Sequence, residues 1–265
     1  MRARRVADFP FFDNAGLPMP FAHRGGALTA DNVLLENSMR AFEVAVGLGY
    51  RHLETDVHAS RDGRLVAFHD ATLDRTTDGV GAVAALPYAE ISRARIGGLE
   101  PIPLLSDILT AWPDVKVNID AKSNQAIGPL ARCIDEHRAW DRVCVAGFEQ
   151  AWVDAARRGG GERLCTSMAK RDILALRARA WLRGALPWPP LRGDVAHVPV
   201  SAGPIRVVDA SLLRTAHATG REVHVWTINT PERMRQLLDL GVDGILSDRP
   251  DLLRDVLRER GQWPT

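Results

Sequence analysis

The stretch from Tyr50 to Asp70, YRHLETDVHASRDGRLVAFHD, holds two carboxylates and a histidine at spacings that can bring them together. Glu54 and Asp56 are two apart, so on an extended strand they share a face. Asp62-Gly63 is a hairpin signal, because two-residue turns need positive φ and both residues tolerate it. With that pair as the loop, Asp56 falls directly across from His69. A solvated hairpin face would carry the same pattern. His23-Arg24-Gly25-Gly26, ending a short apolar run upstream, tips the reading toward a site. Further on, Asn118, Asp120 and Lys122 alternate at the end of another apolar run. Glu54, Asp56 and Asp120 make a set of hard oxygen donors suited to Mg²⁺ or Ca²⁺, and three such carboxylates without a cation would repel strongly. His23 and His69 beside them, with Arg24 and Lys122, describe a site for an anionic phosphate ester. The cationic side chains neutralise phosphoryl oxygens, and the paired histidines move protons to and from oxygen atoms.

These residues need elements that end in one place. Strand signals fall at 21–25, 53–57, 115–121, 143–147, 163–168, 196–200, 222–228 and 244–247, with helical patterns between them and a returning hairpin strand at 65–68. The clearest helices are 38–48, with Asn37 or Ser38 as its cap, and one starting at Thr230-Pro231-Glu232. Eight parallel-type strands alternating with helices predict an α/β fold, a (β/α)₈ TIM barrel with one extra antiparallel strand, in a single domain spanning 1–265. Residues 71–103 are rich in Gly and Pro and read as a small irregular insertion near the active-site face. A doubly wound open sheet is the alternative, but no glycine-rich dinucleotide fingerprint supports it. In the barrel reading the chemistry belongs at the carboxyl ends of strands, where His23, Glu54, Asp56, Asp120, Trp226 and Asp248 all fall.

The chain has 34 basic and 33 acidic residues, which argues against a nucleic-acid partner. Its three cysteines, Cys133, Cys144 and Cys165, cannot all pair and match no zinc spacing, and Cys144 and Cys165, in strand-like runs, read as buried free thiols. No apolar run is long enough for a signal peptide or a membrane span, so a soluble cytoplasmic protein is expected. Nothing in the sequence bears on oligomeric state.

Taken together, HRGG at 23–26, LENS at 35–38, LETDV at 53–57, RDG at 61–63, FHD at 68–70 and LDRTTDG at 73–79 form an ordered series. It continues with IPLLSDIL at 102–109, NIDAK at 118–122, VWTIN at 225–229 and GVDGILSDRP at 241–250. The series resembles the glycerophosphodiester phosphodiesterase family over nearly the whole chain. The resemblance implies a barrel enzyme that hydrolyses glycerophosphodiesters to glycerol 3-phosphate and an alcohol, using a divalent metal. In it, His23 and His69 match the catalytic pair, Arg24 the phosphate-binding arginine, and Glu54 and Asp56 metal ligands. Glu36, Lys122 and Trp226 are further candidates for holding substrate, Trp226 as a wall against the glycerol. Two departures stand out. Asp120 is one methylene shorter than the family's usual Glu, and Leu35 replaces a Pro, which is expected to loosen the local turn.

A glycerol phosphodiester carries its own nucleophile, the hydroxyl beside the esterified carbon. Attack through it gives a cyclic phosphate, with His23 assigned as base and His69 as acid. Among the other histidines, His52 and His224 are expected to pack in the core, His58 to serve a loop, and His137 and His217 to be solvated; His197 has no supporting motif. Residues 175–193, ALRARAWLRGALPWPPLRG, interleave Leu, Trp and Pro with four arginines and no acidic residue. They read either as a barrel-helix face with a Pro-rich loop or as a peripheral membrane contact. Two alternatives accompany the phosphodiesterase reading: a phospholipase D-like activity on lysophospholipids at the same site, and a non-catalytic phosphodiester-binding barrel.

Overall fold

The computed structural model describes residues 5–14, 16–182 and 190–263. Eight parallel strands form the barrel: β1 (Met19–His23), β2 (His52–Ala59), β3 (Lys116–Ala121), β4 (Val143–Ala146), β5 (Cys165–Thr166), β6 (Val195–Pro199), β7 (Glu222–Trp226) and β8 (Gly244–Ser247). After them in turn come α1 (Met39–Gly47), α2 (Leu105–Ala111), α3 (Asn124–Glu136), α4 (Gln150–Gly160), α5 (Lys170–Trp181), α6 (Ala210–Ala218), α7 (Pro231–Leu240) and α8 (Pro250–Glu259). The strand order is β5-β4-β3-β2-β1-β8-β7-β6. A parallel bridge between Ser167 and Val195, with the Met168 amide on the Val195 carbonyl at 2.8 Å, joins the two ends. Among the described residues no helix is long and apolar enough to cross a membrane.

The expected elements are present with shifted ends. Ser38, not Asn37, caps α1, its hydroxyl accepting from the Ala41 amide at 3.1 Å. The first strand stops at His23 because Arg24, Gly25 and Gly26 all take positive φ. A short hairpin at 201–206, not anticipated from the sequence, follows β6.

The hairpin after β2 corrects the expected register. Ala59 pairs with Leu65, His58 with Val66 and Val57 with Ala67. The Ser60 amide donates to the Arg64 carbonyl at 2.9 Å, leaving Arg61, Asp62 and Gly63 as a three-residue loop with Gly63 at φ +77°. The Ser60 hydroxyl enforces it, donating to Asp62 Oδ1 at 2.6 Å and accepting from the Arg64 amide at 2.9 Å. Asp56 therefore faces Phe68, whose amide donates to the Asp56 carbonyl at 2.9 Å, and His69 lies one step beyond. Phe68 is turned instead into the insertion's own apolar cluster, with Val66, Leu73, Ile91, Ile96 and Leu35. Leu35 is thus an anchor rather than a loosened turn.

Helices and sheet share a core of alternating strand residues and helix faces, such as Leu53, Val117 and Ile119 against Phe42, Leu105 and Leu130. Inside the barrel the lower end is plugged by the N-terminal segment: Phe9, Phe11 and Phe12 pack with Met19 and Phe21. His52 belongs to this plug, edge-on to Phe11 and Phe21 at 5.8 and 5.3 Å between ring centroids. Burial, and then the Lys116 charge, push its pKa down from 6.5 to about 3. An imidazole held neutral in the fold stabilises fully above pH 6.5 and progressively loses that contribution as pH falls toward 3, because the unfolded chain takes up the proton first. His52→Phe should therefore gain on the parent by roughly 1.4 kcal/mol per pH unit below 6.5. Denaturant unfolding of both proteins between pH 7 and 4 measures that gap, and a gap that does not change with pH would contradict the assignment.

Candidate active site

The carboxyl ends of the strands open into a cavity of about 580 Å³. Eight of the nine residues expected in the site line it: His23, Arg24, Glu54, Asp56, His69, Asp120, Lys122 and Trp226. Glu36 is not among them; it lies behind Arg24, which donates to its Oε1 from an NH group at 3.1 Å.

The turn after β1 sets the geometry. A Cβ at position 25 would stand 2.7 Å from Ala41 Cβ, and one at position 26 would stand 2.4 Å from Pro250 Cγ. Glycine at both lets α1 and α8 begin hard against the barrel mouth. Arg24, directly after His23, takes the left-handed region at φ 52°. Its amide donates to the Glu54 carbonyl at 3.0 Å and to the Glu54 carboxylate at 3.1 Å.

Parity along β2 puts Glu54 and Asp56 inside, both almost fully buried. Asp56 is the better compensated. Lys122 Nζ lies 2.8 Å from Oδ1, while Arg24 Nε and Asn37 Nδ2 lie 3.1 and 3.0 Å from Oδ2. Burial alone would raise the Asp56 carboxyl, but Lys122 and Arg24 outweigh it and hold it below its usual range. Glu54 has less help: burial and the Asp56 charge push it up to about 7. Burial likewise raises Asp120, although its Oδ2 lies 2.6 Å from Lys122 Nζ. Asp120 Oδ1 and Asn118 Oδ1 are buried without a hydrogen-bond partner.

Among the described residues no three acidic, histidine or cysteine side chains are gathered closely enough to hold a metal ion. Two of the expected trio, Asp56 and Asp120, are instead paired with Lys122, whose ammonium sits between them. The donor chemistry nonetheless fits a hard divalent cation: three carboxylates, two of them raised by burial, and two buried oxygens with nothing to bond.

The two histidines are held alike. His23 Nδ1 donates to Asp248 Oδ1 at 2.6 Å, and His69 Nδ1 donates to Asp70 Oδ1 at 2.6 Å. Each Nε2 is left toward the cavity, that of His23 at 3.8 Å from Glu54 Oε2. Burial would lower the His23 pKa, but Glu54 and Asp248 outweigh it and raise it. Asn229 fixes Asp248 in turn, donating to Oδ2 at 3.0 Å and accepting from the Asp248 amide at 2.9 Å. His58 is buried in β2 rather than in a loop, and its Nε2 donates to the His69 carbonyl at 3.1 Å. Asn37, Asp70, Asp248 and Asn229 are the orienting residues that sequence reasoning did not assign. The signals were there, in the N of LENS, the D of FHD, and the N and D ending VWTIN and ILSD.

Away from the charged end the cavity wall is largely apolar, with Lys170 and Arg177 among its apolar side chains. Trp226 and Phe148 meet edge-to-face at 6.3 Å. Beyond them lie Met168, Leu174, Trp181, Ile205 and Val207. The arginine-rich stretch expected at 175–193 therefore begins on the active-site side, in α5, while its residues 183–189 lie outside the described residues.

Residues 23–252 match the model of the glycerophosphoryl diester phosphodiesterase family. The chain is 41% identical over 244 residues to the protein named "Probable glycerophosphodiester phosphodiesterase 2" of Mycobacterium tuberculosis, with 91% of each protein covered. It is 29% identical over 272 residues to lysophospholipase D of Mus musculus, covering 89% of this chain and 85% of the other. An Oleispira antarctica phosphodiesterase, solved with its product sn-glycerol 3-phosphate, superposes with a TM-score of 0.74 at 23% identity, covering 92% of this chain and 98% of that one. With its barrel, its strand-end site and a family match across 23–252, the chain belongs to the glycerophosphoryl diester phosphodiesterase family.

Proposed function

We propose that the chain hydrolyses glycerophosphodiesters to glycerol 3-phosphate and an alcohol, with Mg²⁺ or Ca²⁺ held by Glu54, Asp56 and Asp120. The observation that carries this reading is the matched pair of histidines. Each gives Nδ1 to a carboxylate and keeps Nε2 for the cavity, where Arg24 and Lys122 supply positive charge. A non-catalytic barrel would have no use for two imidazoles oriented in this way.

Arg24 and Lys122 draw the phosphate to the charged end, and Trp226 walls the glycerol. The bound cation supplies a Lewis acid that lowers a hydroxyl pKa and takes up phosphoryl charge. His23 Nε2 accepts the proton of the glycerol hydroxyl beside the ester as its oxygen attacks phosphorus. His69 Nε2 gives a proton to the departing alcohol, and a five-membered cyclic phosphate forms. The roles then reverse: His69 takes a proton from water as it attacks, and His23 returns one to the ring oxygen. Asp248 and Asp70 keep both rings in the required tautomer and stabilise each imidazolium as it forms.

Glycerophosphocholine is expected to yield glycerol 3-phosphate and choline, with activity lost in EDTA and restored by Mg²⁺ or Ca²⁺. An analogue lacking only the hydroxyl next to the ester should bind as a competitive inhibitor and not react. Normal turnover of that analogue would rule out the cyclic route, and EDTA-resistant turnover would rule out the cation.

The apolar wall favours a second reading, lysophospholipids as substrates. Leu174, Trp181 and Phe148 line the cavity and are more than half exposed at its mouth, which a small polar alcohol would not require. A monoacyl glycerophosphodiester keeps the neighbouring hydroxyl free, whereas a diacyl lipid does not. Across lysophosphatidylcholines below their micellar range, kcat/KM should rise with chain length, by at most about 0.8 kcal/mol per added methylene, and diacyl phosphatidylcholine should be inert. A flat series would remove the acyl role and leave the phosphodiesterase reading intact.

A further inference from the structure

The LDRTTDG run has no part in the chemistry above, although the insertion carries it to the rim of the site. Leu73 is buried in the insertion's core, and the Thr77 amide and hydroxyl both bond to its carbonyl, at 3.2 and 2.8 Å. The backbone around Arg75 is fixed by these contacts. Its guanidinium then meets two carboxylates at once. Nε and one terminal nitrogen donate to both oxygens of Asp70, at 2.5 and 3.0 Å. The two terminal nitrogens donate to both oxygens of Glu36, at 3.2 and 2.7 Å.

Both carboxylates have second tasks. Asp70 Oδ1 also accepts from His69 Nδ1, and Glu36 Oε1 also accepts from Arg24. An unbroken chain thus runs from His69 through Asp70, Arg75 and Glu36 to Arg24. We propose that Arg75 is a positioning residue, a double fork that sets the proton-donating histidine and the phosphate-binding arginine in register. This rests on the phosphodiesterase reading for the roles of His69 and Arg24.

A planar guanidinium can grip two carboxylates bidentately and an ammonium cannot, so Lys is not a substitute here. Arg75 is also half exposed, with 50% of its side chain accessible, and ion pairs this exposed add little to stability. Its removal should therefore misplace catalytic groups without unfolding the protein, which separates positioning from a merely structural role.

The test compares the parent with Arg75→Ala, Arg75→Lys, Glu36→Gln and Arg75→Ala/Glu36→Gln on glycerophosphocholine, alongside thermal unfolding. Arg75→Ala and Arg75→Lys should each lose roughly 10²-fold in kcat, the scale of an ångström-sized misplacement, with KM changed far less and the unfolding midpoint near the parent's. Added guanidinium ion should recover part of the Arg75→Ala rate and none of the Arg75→Lys rate. The double variant should be little worse than Arg75→Ala alone, as expected for members of one chain. The proposal is overturned by Arg75→Lys activity within twofold of the parent, by additive losses in the double variant, or by a lost rate matched by lost fold and no guanidinium rescue. An inactive parent would instead count against the phosphodiesterase reading, since no positional effect could then be seen.

Discussion

Two carboxylates, Glu54 and Asp56, are buried side by side at the mouth of the barrel, and the surrounding structure answers that constraint. Charge taken out of water must be paired or neutralised. Asp56 is met by Lys122 from beyond β3, Arg24 from the turn after β1 and Asn37 from the loop before α1. Three separate strand-end segments are thereby drawn to one point. Among the described residues Glu54 accepts from the Arg24 amide and has His23 Nε2 at 3.8 Å, and its carboxyl is pushed up to about 7 by burial and by the Asp56 charge, against the weaker pull of His23, Arg24 and Lys122. The site is thus built with negative charge left over, which is the condition a hard cation relieves.

The barrel supplies strand ends, but the orientation comes from the loops. Gly25 and Gly26 allow α1 and α8 to start within contact of the β1 turn, so the residues just before each helix, Asn37 and Asp248, can reach inward. The insertion contributes from the opposite side. Its small core holds Phe68 and Leu73, and so fixes His69 and Arg75 on the rim. The apolar wall formed by α5 and the 201–206 hairpin makes the other half of the cavity.

Strand parity and the strand-end rule place Glu54, Asp56, Asp120 and His23 correctly from sequence, because each depends on a period of two and on the barrel alone. His69 reached the predicted neighbourhood by a register one residue different from the expected one. The cause was local: the Ser60 hydroxyl bonds across the loop and turns a two-residue turn into three. Glu36 lies behind Arg24 and not on the cavity wall, a placement the sequence does not reveal because nothing in a linear pattern distinguishes a substrate-facing acid from one that holds an arginine. Asn37, Asp248 and Asn229 act through contacts spanning the chain, such as His23 with Asp248, which no spacing can report. Leu35 anchors the turn for a similar reason, since the core it joins is assembled from residues up to Leu104.

The central claim is that the carboxylates at the strand ends form a divalent cation site whose unmet charge resides on Glu54 and Asp120. Calorimetric titration of Mg²⁺ and Ca²⁺ into metal-depleted protein at pH 6, in buffers of different ionisation enthalpy, tests it most directly. At that pH a Glu54 carboxyl raised to about 7 is largely protonated, and it must release its proton to ligate. The expected result is saturable binding with release of about one proton. Asp120→Ala should weaken it about tenfold or more, and Glu54→Gln should abolish the proton release. Absence of binding in the parent, or unchanged affinity and proton release in both variants, would contradict the account.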